Sequence, residues 1–113
     1  MQDDCIFCKI AAHQIPVAPL YEDDEFIGFR DQNPQAPVHA LLIPKEHFDT
    51  VLEVTDTGLL GRALAAVAET ARTLHLDQSG FRTVINCRED GGQTIYHLHF
   101  HILGGRFMSW PPG

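Results

Sequence analysis

The stretch His97-Leu98-His99-Phe100-His101-Ile102-Leu103 alternates imidazole with hydrocarbon. Strand side chains point alternately to two faces. A strand over 97–103 therefore sets His97, His99 and His101 on one face and turns Leu98, Phe100 and Ile102 into the core. Neighbouring imidazoles on one face stand roughly 7 Å apart by strand rise. Three charged imidazoles at that spacing would repel, so the cluster is expected to be largely neutral near pH 7. A neutral imidazole is what a nucleophile or a metal ligand must be. A merely His-rich surface strand is the bland alternative, and three histidines in register make it a costly accident.

The residues before this strand bear on the choice between metal and nucleophile. Asp90-Gly91-Gly92-Gln93-Thr94 leads straight into it. Paired glycines let backbone N–H groups approach an anion closely, and Gln93 and Thr94 add side-chain donors. Asn86, at the end of the preceding strand, is placed to reach the same point. Donors of this kind beside a nucleophile suit an oxyanion or a phosphate. Gly91-Gly92 read alone is equally well a plain turn.

Further out, Ile6–Ala12 reads as a short helix, ended by Pro16 and Pro19. Leu20–Glu22 and Glu25–Arg30 read as strands about an Asp23-Asp24 turn. Val38–Ile43 is a third strand, closed by Pro44. Asp56 or Thr57 caps a long helix whose apolar stripe is Leu60, Leu64, Val67, Ala71 and Leu74. Ser79-Gly80 breaks the chain before a strand over Phe81–Cys87. Helix, strands, helix, strands is not the alternation of a doubly wound sheet. It predicts an α+β fold, an antiparallel sheet with the helices on one side.

All 113 residues, 1–113, are expected to form a single domain. Apolar residues make up 44%, enough for a packed core. The formal charge of −7 argues against nucleic acid polymers and anionic membrane surfaces as partners. It does not argue against a small anion in a local pocket. Apolar runs fall short of the roughly 20 residues of a membrane helix. The start Met1-Gln2-Asp3-Asp4 has no basic, apolar signal character, so a cytoplasmic location is expected.

The heptapeptide is similar to the histidine-triad (HIT) signature, His-φ-His-φ-His-φ-φ with φ apolar. Gly91-Gly92-Gln93, Tyr96, Leu103-Gly104-Gly105-Arg106 and Trp110-Pro111-Pro112-Gly113 resemble the Hint branch of that family. Ile6-Phe7, Ile15-Pro16, Glu22-Asp23-Asp24, Pro34-Gln35-Ala36-Pro37, His39 and Ile43-Pro44-Lys45 extend the resemblance over nearly the whole chain. It implies a five-stranded antiparallel sheet with a short N-terminal helix and one long amphipathic helix. It also implies a homodimer whose sheets join into ten strands. The implied activity is hydrolysis of purine nucleoside 5′-phosphoramidates through a nucleotidyl-histidine, with no organic cofactor.

By the resemblance, His99 is the nucleophile, its Nδ1–H held by a backbone carbonyl near His97. His101 protonates the leaving amine, and His39 completes the cluster from another strand. Asn86, Gly92 and Thr94 hold phosphate oxygens, with Thr94 where serine is more usual. Asp31 accepts from the ribose hydroxyls, and Phe7, Ile10, Phe29 and Leu41 form the base pocket. Trp110 reaches towards the partner's site. Without the family, Phe7 and Ile10 would more readily be core, Asp31 a cap or turn residue, and Trp110 an anchored terminus.

Cys5-Ile6-Phe7-Cys8 lacks the preceding strand of a thioredoxin-like redox pair, and a disulfide framework is not expected in a cytosolic chain. Structural zinc takes about four N or S ligands, and His47 and His97 are candidates for the other two. Some histidine-triad proteins carry zinc on such a set, while many Hint-branch relatives lack the Cys pair, so unliganded thiols are the other reading. Zinc there would take His97 out of catalysis. Cys87 reads as a packed thiol, and His13 and His75 as solvated helix-end residues. Three other functions stand beside the phosphoramidase: a dinucleoside polyphosphate hydrolase of a sister branch, a nucleotide-binding regulatory module, and a catalytic metal site on the triad.

Overall fold

A computed structural model describes residues 2–113. Two helices and five strands follow in chain order. These are α1 (Ile6–Ala11), β1 (Tyr21–Glu22), β2 (Phe26–Arg30), β3 (Val38–Pro44), α2 (Thr57–Thr73), β4 (Phe81–Val84) and β5 (Phe100–Gly104). A 3-10 turn over Val51–Glu53, capped by the Thr50 hydroxyl, has no counterpart in the expected elements. The strands form one antiparallel sheet in the order β1-β2-β3-β5-β4.

β3 is the middle strand and is buried along almost its whole length. Its side chains alternate between two cores. Ala40 and Leu42 join Phe26, Phe100 and Ile102 under α2. Leu41 and Ile43 join Ile27, Phe29, Phe7 and Ile10 under α1. The helices therefore lie on opposite faces of the sheet, not on one side as expected. A strand buried on both faces must be apolar at every position, which is how Ala40-Leu41-Leu42-Ile43 reads.

Asp56 caps α2, its Oδ1 accepting from the N–H groups of Gly58 and Leu59. Such a cap contributes about 1 kcal/mol. The buried face of α2 is Leu59, Ala63, Ala66, Val67, Thr70 and Ala71. Of the expected stripe, only Val67 and Ala71 are buried, and Leu64 is 50% exposed. Counting large apolar residues misplaced the face, because a face of small residues lets the helix approach the sheet closely. A Cβ on Gly28 of β2 would stand 3.1 Å from the Thr70 hydroxyl. Thr70 spends that hydroxyl inside its own helix, donating to the Ala66 carbonyl at 2.8 Å.

β5 starts at Phe100, three residues later than the alternation suggested. The β3–β5 register pairs Val38 with Gly104 and Leu42 with Phe100. Continued, it would set Leu98 opposite Pro44, which has no N–H for the ladder. The chain turns away there, and the Leu98 N–H goes to the Phe48 carbonyl at 2.7 Å. β4 likewise stops at Val84, so Ile85, Asn86 and Cys87 leave the sheet. Leu98, Phe100 and Ile102 are buried in the α2 core as expected. His13 and His75 follow the two helices with φ near +60°, and both are exposed.

Candidate active site and metal cluster

On the α1 face lies a cavity of about 610 Å³. Phe7, Ile10, Ile15, Val17, Phe29 and Leu41 supply its apolar lining. Asp31, His39, Asn86, Gly92, Thr94, His99 and His101 supply polar lining. A deep apolar pocket with a few convergent polar groups is the usual form of a small-molecule site. Phe7 sits edge-on to both Phe29 (ring centroids 5.9 Å) and His99 (5.2 Å), so it joins the two linings. Ile15, Val17, Asn33 and Gln35 also line it and were not expected there. Pro16 and Pro19 gave the first pair a loop reading with no direction attached.

The protons in this site are assigned by its fixed partners. The Gln35 backbone N–H donates to His39 Nδ1 at 2.9 Å. The remaining proton of neutral His39 is thus on Nε2, which faces His101 Nδ1 at 2.9 Å and Asp31 Oδ2 at 3.4 Å. His101 Nδ1 accepts, so the His101 proton is on Nε2. That atom is buried and has no hydrogen-bond partner. His99 Nδ1–H donates to the His97 carbonyl at 2.7 Å, which leaves the lone pair on Nε2. One imidazole thus offers a lone pair and its neighbour an unpaired donor, with ring centroids 5.0 Å apart. That is closer than ideal strand spacing, because His99 lies off the ladder.

Burial holds these rings neutral. It pushes His101 down to about 4, helped by the neighbouring His99 and His39. Burial also lowers His99 and His39, with the Asp31 carboxylate opposing in both cases.

Gly91 and Gly92 have separate reasons for being glycine. A Cβ on Gly91 would stand 2.6 Å from the Cys87 carbonyl oxygen, and Gly92 has φ of +75°. Gln93 does not line the cavity. Its amide is buried in the loop itself, accepting from the Arg88 N–H at 3.0 Å and donating to the carbonyls of Asp49 (2.7 Å) and Ile95 (3.1 Å). The expected phosphate donor is therefore a brace that positions Gly92 and Thr94. Trp110 is 79% exposed and does not line the chain's own cavity; Arg82 lies 5.8 Å over its ring and donates to the Ser109 carbonyl.

His97 parts from the triad. It is fully buried, and its Nε2–H donates to the Pro44 carbonyl at 2.8 Å. Its Nδ1 faces Cys5 Sγ at 3.4 Å and Cys8 Sγ at 3.6 Å. His47 Nε2–H is held by Asp49 at 2.7 Å, and its Nδ1 faces Cys8 Sγ at 3.2 Å. All four donor atoms lie within 4.8 Å of one another. Tetrahedral zinc with bonds of about 2.3 Å to sulfur and about 2.0 Å to nitrogen sets S···N near ~3.5 Å. Both imidazoles are also oriented from behind by an oxygen acceptor, as metal-bound histidines are. The set can hold a metal ion. A single metal bound by all three triad imidazoles is not what the geometry offers, since His97 points to the thiols and His99 Nδ1 is spent on a carbonyl. Among the described residues no helix is long and apolar enough to cross a membrane.

Similarity to known proteins agrees with this geometry. The chain is 50% identical to an uncharacterized HIT-like protein of Synechococcus elongatus, with each chain covered in full. A crystal structure of a HIT family hydrolase from Legionella pneumophila superposes with a TM-score of 0.91 at 46% identity, covering 97% of this chain and all of that one. A histidine triad protein from Clostridium difficile superposes equally well, TM-score 0.91, at 41% identity over 96% of each chain. The family model for the HIT domain matches residues 12–108, and the chain belongs to that family.

Proposed function

We propose that the chain is a hydrolase that cleaves purine nucleoside 5′-phosphoramidates to a nucleoside monophosphate and an amine, through a nucleotidyl-His99 intermediate. The observation that carries this reading is the pair His99 Nε2, a lone pair held outward, and His101 Nε2–H, a buried donor without a partner. An unpaired buried donor costs about 1–3 kcal/mol, which an incoming acceptor returns. The substrate nitrogen or a phosphate oxygen is such an acceptor.

The bound anion favours uptake of one proton at His101 Nδ1, with the His39 Nε2–H turning to Asp31 Oδ2, 3.4 Å away. His99 Nε2 then attacks the α-phosphorus, the P–N bond breaks, and the departing nitrogen takes the proton from His101 Nε2. Water next attacks the nucleotidyl-His99. Its proton passes to His101, its hydroxyl stays on phosphorus, and His99 leaves as a neutral imidazole. Asn86, Thr94 and the Gly92 N–H hold the phosphate oxygens, and Asp31 accepts from the ribose. Phe7, Ile10, Phe29 and Leu41 receive the base. Positioning and fixed dipoles supply most of the catalysis in such transfers.

The Hint-branch reading is supported by the Gly91-Gly92-Gln93 loop and the Trp110-Pro111-Pro112-Gly113 tail. A homodimer is supported by the outer face of α2, where Leu64 is 50% exposed, and by the edge strand β4, where Phe81 is 41% exposed and Ile85 beyond it 40%. Trp110 then serves the partner's site. Structural zinc at Cys5, Cys8, His47 and His97 fastens α1 to the sheet.

The test is turnover of an adenosine 5′-phosphoramidate by the wild type and His99→Ala, with intact-mass trapping of the adduct. A nucleotidyl mass on His99, and loss of turnover in the variant, are expected. Equal turnover by both rejects the reading.

A further inference from the structure

Residue 97 belongs to both centres at once. Its side chain enters the Cys5, Cys8 and His47 cluster, and its carbonyl oxygen accepts the His99 Nδ1 proton at 2.7 Å. That second bond is what leaves the His99 lone pair on Nε2.

The sheet does not hold this carbonyl. β5 begins at Phe100, so residues 97–99 lie outside the ladder. Two contacts and the cluster fasten them instead: Leu98 N–H to the Phe48 carbonyl at 2.7 Å, and His97 Nε2–H to the Pro44 carbonyl at 2.8 Å. The cluster also clamps α1, whose Cys8 is buried and whose Phe7 sits edge-on to His97 (5.9 Å) and His99 (5.2 Å). A helix of six residues has little stability of its own. Its seat against the nucleophile depends on what fills the space between the two thiols and the two imidazoles.

We propose that His97 couples the cluster to the nucleophile: a thiophilic divalent cation held by Cys5, Cys8, His47 and His97 fixes the His97 carbonyl on His99 Nδ1, and emptying the cluster releases it. Metal content thereby governs the tautomer of His99. The coupling rests on the phosphoramidase reading only for its kinetic consequence. Its structural consequence is read without turnover.

The experiment compares zinc-loaded and chelator-stripped protein, 15N-labelled at histidine, at one pH near 7.5. Long-range 15N spectra report the tautomer of each ring, and the His99 signals are those missing from His99→Gln. In loaded protein His99 is expected as one tautomer, protonated at Nδ1. In stripped protein, with circular dichroism showing the fold retained, a mixture of tautomers is expected. The kcat for a phosphoramidate should fall in proportion to the fraction of His99 that loses the Nδ1–H tautomer, and return with zinc. His47→Cys keeps four donors at a residue that does not line the cavity, so it should keep zinc and the single tautomer, whereas Cys8→Ser loses both. Where stripping unfolds the chain, an excluded osmolyte such as sucrose holds the empty protein folded for the same comparison. An identical His99 tautomer in filled and empty folded protein overturns the coupling, and so does wild type that takes up no zinc. A tautomer change in protein that never turns over a phosphoramidate overturns the proposed reaction and leaves the coupling standing.

Discussion

His39 Nε2 and His101 Nδ1 stand 2.9 Å apart, across 62 residues of sequence, and share one proton. The Gln35 N–H behind His39 decides which ring owns it. The direction of that bond makes His101 Nε2 the donor facing an incoming ligand. The pair is neutral in the free protein, and the uptake proposed on ligand binding adds the second proton to His101.

The pH profile follows from the burial of the imidazoles. A free histidine protonates near pH ~6.5. Burial lowers the proposed nucleophile His99, as it lowers His39 and pushes His101 to about 4, so the His99 Nε2 lone pair stays free into acid. The acid limb of kcat/KM, which reports the free enzyme, should have its midpoint below 6.5. A midpoint at or above 6.5 would show that the imidazoles titrate as if exposed.

Stability should follow the same groups with a definite sign. Their pKa values are lower in the folded chain than in the unfolded one, so between about 6.5 and 4 the unfolded chain binds more protons. Stability therefore falls as pH drops through that window and levels off below it. Urea midpoints measured from pH 7 to 4 should show the decline. His101→Gln, which cannot titrate there, should flatten it, and an unchanged slope would locate the effect elsewhere.

Gln93 should behave as a brace. Gln93→Ala strands the Arg88 N–H and the Asp49 and Ile95 carbonyls that its buried amide serves. A loss of about 1–3 kcal/mol is expected for unpaired buried groups, read from denaturant unfolding. KM should rise more than kcat falls, since Gly92 and Thr94 lose their support. Unchanged stability with a lost phosphate contact would restore the donor role.

Neighbouring residues on α2 should separate fold from assembly. Ala63 has no exposure, so Ala63→Leu overpacks the α2 core and should cost about 1–3 kcal/mol. Leu64 is half exposed, so Leu64→Glu should leave the fold intact by circular dichroism while shifting a dimer towards monomer in sedimentation. An unshifted dimer would place the interface on another face.

Much of the site was readable because alternation is a local property. Three histidines two residues apart must share a face, and the hydrocarbons between them must share the other. The Gly91-Gly92 loop, Asn86 and Thr94 could be placed near them by chain order alone. The face of α2 could not, since Leu60 and Leu64 satisfy a helical stripe as well as Leu59, Ala63, Ala66 and Thr70 do. What selects the second set is the room between helix and sheet at Gly28. Ile15, Val17 and Gln35 carry no local signal for a cavity; they line it because the loops that hold them fold over the α1 face.

The sequence by itself determined the chemical inventory: imidazoles in register, a Cys-x-x-Cys pair, a glycine loop and an apolar central strand. Only the tertiary structure decided which imidazole does what. Pro44 cannot continue the ladder, so the 97–99 segment leaves the sheet and His97 turns to the thiols, while His99 and His101 stay with His39. A strand pattern tells a side chain which face to take. The tautomer of an imidazole depends instead on the partner at each ring nitrogen: His99 has the carbonyl of His97, while His97 and His101 have Pro44 and His39, far away in the chain.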